Sequence, residues 1–456
     1  MLGQRIGRAF FSLAAALAVA LPPAAADDKP AETPAEPCPI CEARNKLNEL
    51  IPGVKWGADL RLRAIYDNNL GLNGSAAGHE RFWTRYRGRV WTSITPIEDL
   101  QFNIRLVAEP RLYCKPDEME HQLIRHEAIF DQFNVQWTKP FELPLKLTVG
   151  RQDIKLGDGW LVIEGTPRDG TRTFFFDAIR ATLDAAEIKT TFDVICLRNH
   201  ANSSSFIRPF NDRDLDLIEH DETGVIVYAS NKSLQETTLD GYFIYKHDDR
   251  QLAAGNNSDI YTVGARAAGR MDENWTYGAE VAPQWGQTNG VEKHALGFNG
   301  NATYHLNDKL DNSFKFAYEY RSGDKNRNGA FDMLWGRFPH WSNIVNDYVA
   351  GLEGLPSMLT NIHRLGVGWG CKPAEKLTLD AYYHLLFRDR NPLSNTAGFS
   401  NRGRLKGQLF SGLLGYKFNE HLSGHLIGEV FLPGNYYDST RNDVALFLRY
   451  ELVLRW

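Results

Sequence analysis

The stretch Lys55-Trp56-Gly57-Ala58-Asp59-Leu60-Arg61-Leu62-Arg63-Ala64-Ile65-Tyr66 alternates residue by residue. Trp56, Ala58, Leu60, Leu62, Ala64 and Tyr66 share one face; Lys55, Asp59, Arg61 and Arg63 share the other. A period of two belongs to an extended strand, whose successive side chains point to opposite sides. The pattern recurs outward from this stretch. Phe82, Tyr86, Val90 and Ile94 oppose Arg81, Arg85, Arg87 and Arg89. Phe314, Phe316, Tyr318 and Tyr320 oppose Lys315, Glu319 and Arg321, and the chain ends with Leu446, Leu448, Tyr450, Leu452, Leu454 and Trp456 opposite Arg449, Glu451 and Arg455.

Two architectures put an apolar and a charged face on one strand. A soluble sandwich hides the apolar face in a core; a membrane barrel turns it to lipid and encloses the polar face around water. The runs reach ten residues or more, as a tilted spanning strand needs. Aromatics sit at run ends (Trp56 and Tyr66, Trp275 and Trp285, Tyr320, Trp456), where interfacial girdles form. The terminal Trp456 resembles the assembly signal of bacterial outer-membrane barrels. The expectation is therefore an all-β, transmembrane antiparallel β-barrel of about 18 strands. Its strands should start near Val54, Arg81, Leu100, Arg125, Leu145, Thr173, Glu187, Thr223 and Leu239. The remainder should start near Asp259, Trp275, Lys293, Asn312, Asn361, Lys376, Gly407, His421 and Val444. Short turns such as Met271-Asp272-Glu273-Asn274 should face the periplasm, and long loops should run near 199–221, 323–360 and 389–404. A barrel of this size keeps an aqueous channel, so a pore is the default function.

Composition agrees. A mean hydropathy of −0.39 excludes a bundle of membrane-spanning helices, and 25 Phe, 18 Tyr and 11 Trp exclude a disordered chain. A net charge of −5 gives no basic field for nucleic acid. Arg5 and Arg8 precede an apolar run to Leu21 and an Ala-rich site at Ala24-Ala25-Ala26, the pattern of a cleaved signal peptide over 1–26. Residues 27–53 form a Pro/Ala/acid-rich periplasmic spacer holding Cys38-Pro39-Ile40-Cys41, a local disulfide or inert thiols. Residues 54–456 are the barrel.

The charged face is rich in arginine. Arg61, Arg63, Arg85, Arg87, Arg105, Arg151, Arg321, Arg364 and Arg449 fall on the expected lumen side, with Arg81, Arg89, Arg111, Arg388 and Arg455. Arginine stays charged at any working pH, and its fork grips carboxylates. A strip of such groups inside a low-dielectric wall concentrates anions, with the acids expected to gather in turns and loops such as Asp212 to Glu222. The competing reading is a general porin strip that only shapes the field. Other chemistry is thin: the His residues are scattered, no G-x-S-x-G or H-E-x-x-H motif occurs, and Asp117/Glu118 and Asp248/Asp249 read as solvated turns. No cofactor is expected beyond a loosely bound surface calcium ion at Asp324 to Gly329.

Three segments carry a family resemblance. Gly150-Arg151-Gln152-Asp153 with Leu156-Gly157-Asp158, then Phe175-Phe176-Asp177-Ala178-Ile179-Arg180, then Tyr320-Arg321-Ser322-Gly323-Asp324 with Asn328-Gly329-Ala330-Phe331-Asp332 resemble segments of the alginate export porins. The resemblance implies a monomeric outer-membrane barrel with an electropositive constriction that passes a polyuronate out of the periplasm, with periplasmic export partners. It points to Arg151, Asp177 and Arg321 as lumen residues, and to the loop holding Gly323, Asp324, Phe331 and Trp335 as a constriction whose aromatics face sugar rings or pack against the rim. The substrate expectation is an acidic polysaccharide; small anions such as phosphate or organic acids are the alternative, and a barrel-type enzyme a distant third.

Overall fold

The computed structural model describes residues 39–456 except 77, 117–122, 125–126, 164–174, 203–206, 211–217, 337–340, 346–348 and 355–358. The expected signal peptide, Cys38, and Asp212, Asp214 and Asp216 lie outside the described residues.

A helix α1 (Pro39–Glu49) precedes the strands. Then come β1 (Val54–Asn68), β2 (Glu80–Ile97), β3 (Leu100–Ala108), β4 (Arg111–Lys115), β5 (Leu123–Ile124), β6 (Ala128–Thr138) and β7 (Leu145–Gln152). β8 (Phe176–Ala185), β9 (Thr190–Asn199), β10 (His220–Asn231), β11 (Thr237–Arg250), β12 (Ser258–Arg270) and β13 (Trp275–Thr288) continue the wall. β14 (Val291–His305), β15 (Ser313–Arg321), β16 (Ile362–Ala374), β17 (Leu377–Phe387), β18 (Leu405–Lys417), β19 (Leu422–Pro433) and β20 (Ala445–Arg455) complete it. Each barrel strand pairs antiparallel with its sequence neighbours, and β1 closes the ring on β20, Asp59 opposite Arg455. β4 follows β3 after 109–110 and continues its pairing with β2, and the short β5 pairs with β4, so the closed barrel counts 18 strands. The expected strand starts fall within three residues of those observed.

The alternation sorts the residues as read. On β1, Leu60 and Leu62 are exposed on the outside while Arg61 and Arg63 are 1% and 3% exposed inside. Phe314, Phe316, Leu365 and Val367 continue an exposed apolar exterior that hydrocarbon, not water, can accommodate. Two aromatic girdles bound it. Trp275 meets Tyr304 with ring centroids 5.0 Å apart at one level, and Tyr261 stacks on Trp285 at 6.0 Å at the other. Trp275 and Trp285 are ten residues apart on β13, which at ~3.4 Å per residue and a tilt of about 40° spans roughly 26 Å, the height of a barrel's apolar band. No helix among the described residues is long and apolar enough to cross a membrane.

All the tight turns expected from the sequence lie at one end, where β1 begins and β20 stops; the long connections lie at the other. There Gly150 on β7, paired in regular register with Asn134 and Ala178, has a φ of +114° and approaches the Phe133 carbonyl closely enough to exclude a side chain.

Candidate functional site

The inside of the barrel is not a uniform channel. Two long loops turn inward: that following β7, described over 153–163, and that joining β15 to β16 (322–361). They meet across Val162 and Trp335, whose backbone N–H donates to the Leu161 carbonyl at 2.9 Å. Trp160 stacks on Phe331 at 5.6 Å, and a Cβ at Gly336 would collide with the Trp160 carbonyl. Ile154, Leu156, Phe331, Leu334 and Trp335 form one apolar cluster with inward residues of the wall, Phe176, Ile195, Ile226, Ile244 and Ile260 among them. Met333, Ile344, Val345 and Val349 join a second cluster with Leu72, Phe399, Tyr436 and Tyr437. The long-loop half is thus packed, and the water-accessible part of the lumen lies toward the other end. The strands follow the alternation; the loops have no period, so their spacing alone does not say which of their residues pack inward.

Buried carboxylates fasten these loops. Glu319 accepts from Arg321 at 2.7 Å, Arg364 at 3.0 Å, Trp160 Nε1 at 3.0 Å and Trp341 Nε1 at 3.1 Å. One carboxylate therefore joins two wall guanidiniums to an indole from each loop. Glu429 accepts from the backbone N–H of Asn343 and Ile344 and from the Ser342 hydroxyl, all within 3.0 Å. Glu222 accepts from Trp335 Nε1 at 2.9 Å. Gln284 and Asp332 exchange hydrogen bonds at 2.8 Å in both directions. Hydrogen bonds to charged groups contribute about 1.5–3 kcal/mol each, so the loops are held in place. Outside the strands, burial raises the carboxyl pKa of Glu353, even with the Lys406 ammonium 2.7 Å away.

The predicted lumen arginines all turn inward, and most are already engaged. Arg61 faces Arg87 and Arg63 faces Arg85 across β1 and β2, a like-charge juxtaposition that costs energy unless offset. Glu109 offsets it, 2.6 Å from Arg61 and 2.9 Å from Arg85, while Glu451 pairs with Arg63 and Asp59 with Arg87 and Arg89. Arg105 holds Asp131 and Asp153. Arg151 and Asp177 form a bidentate pair at 2.8 and 3.0 Å, and the Arg151 guanidinium lies over the Phe175 ring. Arg449 donates to Asn343 at 3.1 Å beside His425.

Several expectations need correction. The acids do not simply gather in turns and loops: Asp59, Glu109, Asp131, Asp193, Glu319, Glu429 and Glu451 are buried among the arginines. Asp248 is no solvated turn residue but lies buried against Lys246 and His220. Of the two alternatives for the loop aromatics, packing describes Phe331 and Trp335, which are buried in the loop cluster, while Trp341 lines the lumen. Gly323 and Asp324 form the exit turn of β15, Gly323 N–H donating to Asp389 and Asp324 accepting from the Asn326 N–H, away from the narrowing. Sequence reading placed Glu319 on the inward face without its role and missed Glu109 and Glu429, because alternation marks a residue as inward without naming its partner.

Toward the short-turn end a cavity of about 850 Å³ remains. Eight lysine or arginine side chains and five carboxylates line it, with Trp341, His384 and His425. Arg364 stacks over the Trp341 ring at 4.7 Å. Arg455 is exposed at its mouth, and its guanidinium meets no partner among the described residues.

Comparison with known proteins agrees with the barrel fold. The family model for alginate export matches residues 122–448. The three resembling segments lie within that range, and the Arg61–Arg87 ladder lies outside it. Among solved structures, OpdQ of Pseudomonas aeruginosa is similar at a TM-score of 0.58 and 11% identity, covering 89% of this chain and 99% of that one. OccAB1 of Acinetobacter baumannii matches at 0.58 and 10%, covering 89% and 97%. OpdK of Pseudomonas aeruginosa, solved with vanillate, matches at 0.56 and 11%, covering 88% and 99%. At these identities the likeness is one of fold. No curated protein sequence matches significantly.

Proposed function

The chain belongs to the alginate export family of bacterial outer-membrane porins, and we propose that it is anion-selective and lets an acidic, alginate-like polysaccharide leave the periplasm by passive, guided diffusion. One observation carries the selectivity: eight cationic side chains against five carboxylates around the cavity at the short-turn end. In a low-dielectric wall such an excess attracts anions and repels cations. The carboxylates already in place hold most of these guanidiniums still without cancelling the excess. A polyuronate carboxylate entering past exposed Arg455 exchanges among Arg89, Lys315 and Arg364, each contact weak enough to release it. Trp341 beside Arg364 offers a sugar ring an apolar face next to a cation. In this reading one copy suffices, lipid surrounds it, a periplasmic partner delivers the polymer, and neither cofactor, catalysis nor nucleic acid takes part.

The fastened loops favour a second reading, an uptake porin for small anions such as phosphate or organic acids, because a fixed narrowing suits a small solute. Planar-bilayer recordings separate the two. Block of the open current by an added polyuronate, at concentrations where phosphate has no effect, supports polymer export. Block by phosphate alone transfers the assignment to small anions.

A further inference from the structure

Beside the cationic cavity lies a second one of about 340 Å³, and its chemistry is different. It is lined by the inward faces of β3, β6 and β7, where Gln101 pairs in register with Gln136 and Asn103 with Asn134, and Gln136 in turn faces Thr148. Of the charges around it, Asp153 is held by Arg105 and Gln132 and Arg180 by Asp193, while Lys146, two residues before Thr148 on β7, is exposed at the rim. The inner amides are locked. Asn103 donates to Asn134 at 3.1 Å and accepts from Ser93 at 2.8 Å, while Asn134 donates to the Arg151 carbonyl at 2.8 Å. Gln101 and Gln136, nearest the short-turn mouth, are only half-buried, and their side-chain amides have no partner among the described residues.

A primary amide offers two donors and an acceptor. A sugar hydroxyl is itself donor and acceptor, so a facing pair of unengaged amides matches hydroxyls without selecting for charge. The wall joins the cationic cavity through β2, whose inward Arg89 lines that cavity while its inward Ser93 bonds Asn103. A chain of sugar rings in the mouth therefore meets cations on one flank and amides on the other.

We propose that Gln101 and Gln136, paired in register two residues along the strands from the Asn103–Asn134 pair, form a carbohydrate-hydroxyl binding face at the periplasmic mouth. This deepens the polysaccharide reading and rests on it: the cationic flank holds the carboxylate edge of the sugar, and the amide flank holds its hydroxyl edge.

The test uses the full-length mature protein in planar bilayers with two probes, maltohexaose as an uncharged oligosaccharide and hexagalacturonate as a charged one. The wild type is expected to be blocked by both. The Gln101→Leu/Gln136→Leu variant is expected to lose about tenfold in maltohexaose affinity, roughly 1.4 kcal/mol, with its open conductance and ion selectivity unchanged. Those unchanged readings also show that the variant is folded. A Gln101→Asn/Gln136→Asn variant, which keeps the amides but shortens their reach, is expected to fall between. Maltohexaose that fails to block the wild type, or blocks the Leu variant equally well, overturns the proposal. Loss of hexagalacturonate block alone, with maltohexaose block intact in the wild type, counts against the acidic substrate and leaves the amide face standing.

Discussion

The long-loop half of the barrel and its short-turn half use the same strands for opposite ends. On β9 to β12 the inward positions toward the long loops include Ile195, Ile226, Ile244 and Ile260, which pack against Trp160 and Trp335. Toward the short turns the same faces carry Asp193, Asp240 and Arg266, and a water-accessible lumen opens beside them on β14 to β20. Apolar burial and buried carboxylates hold the upper half as a fixed narrowing; the lower half keeps polar groups near water, where a passing solute can exchange with them. The difference assigns stability to one half and selectivity to the other, and substitutions in each should separate accordingly.

The largest effect is expected at Glu319. Glu319→Ala leaves Arg321 and Arg364 buried without their shared carboxylate and releases both loop indoles. Such a loss costs about 3–5 kcal/mol, and single-channel conductance should rise as the narrowing opens; thermal unfolding in detergent and bilayer recording check the two parts. Trp335→Ala empties the centre of the loop cluster at a cost of about 3 kcal/mol, again with a larger, noisier current. Val90→Arg tests the outer surface, where Val90 is exposed. It should cost about 2–4 kcal/mol in folding equilibria measured in lipid vesicles if the residue lies near the bilayer midplane, and nothing measurable if water covers this face. The smallest effect belongs to the open mouth. Arg455→Glu should leave stability unchanged and lower the anion preference by less than about twofold, because salt screens an exposed charge. A strong loss of stability from Arg455→Glu, or a pure selectivity change from Glu319→Ala, would break the division between the halves.

Strand number, strand starts and the in-out sorting of side chains were legible because each is a local consequence of a two-residue period. Lys55 to Tyr66 already separates Leu60 and Leu62 from Arg61 and Arg63. The site was legible only in part. Arg151 and Asp177 were both singled out, and the structure joins them in one bidentate pair; their adjacency depends on the register of β7 against β8, which alternation does not specify. Glu109, at the break between β3 and β4, neutralises arginines on β1 and β2, a relation visible only after the sheet is assembled. Phe331 and Trp335 belong to a loop without periodicity, so nothing in their spacing distinguishes a lumen-facing ring from a buried one. Gln101, Gln136 and Thr148 drew no notice because uncharged polar residues on a strand carry no distinctive pattern until three strands bring them together.

The excess of fixed cations at the short-turn end is tested most directly by the reversal potential of the purified protein in a planar bilayer under a KCl gradient. The account predicts a value displaced toward the chloride equilibrium potential. A value displaced toward that of potassium would contradict it.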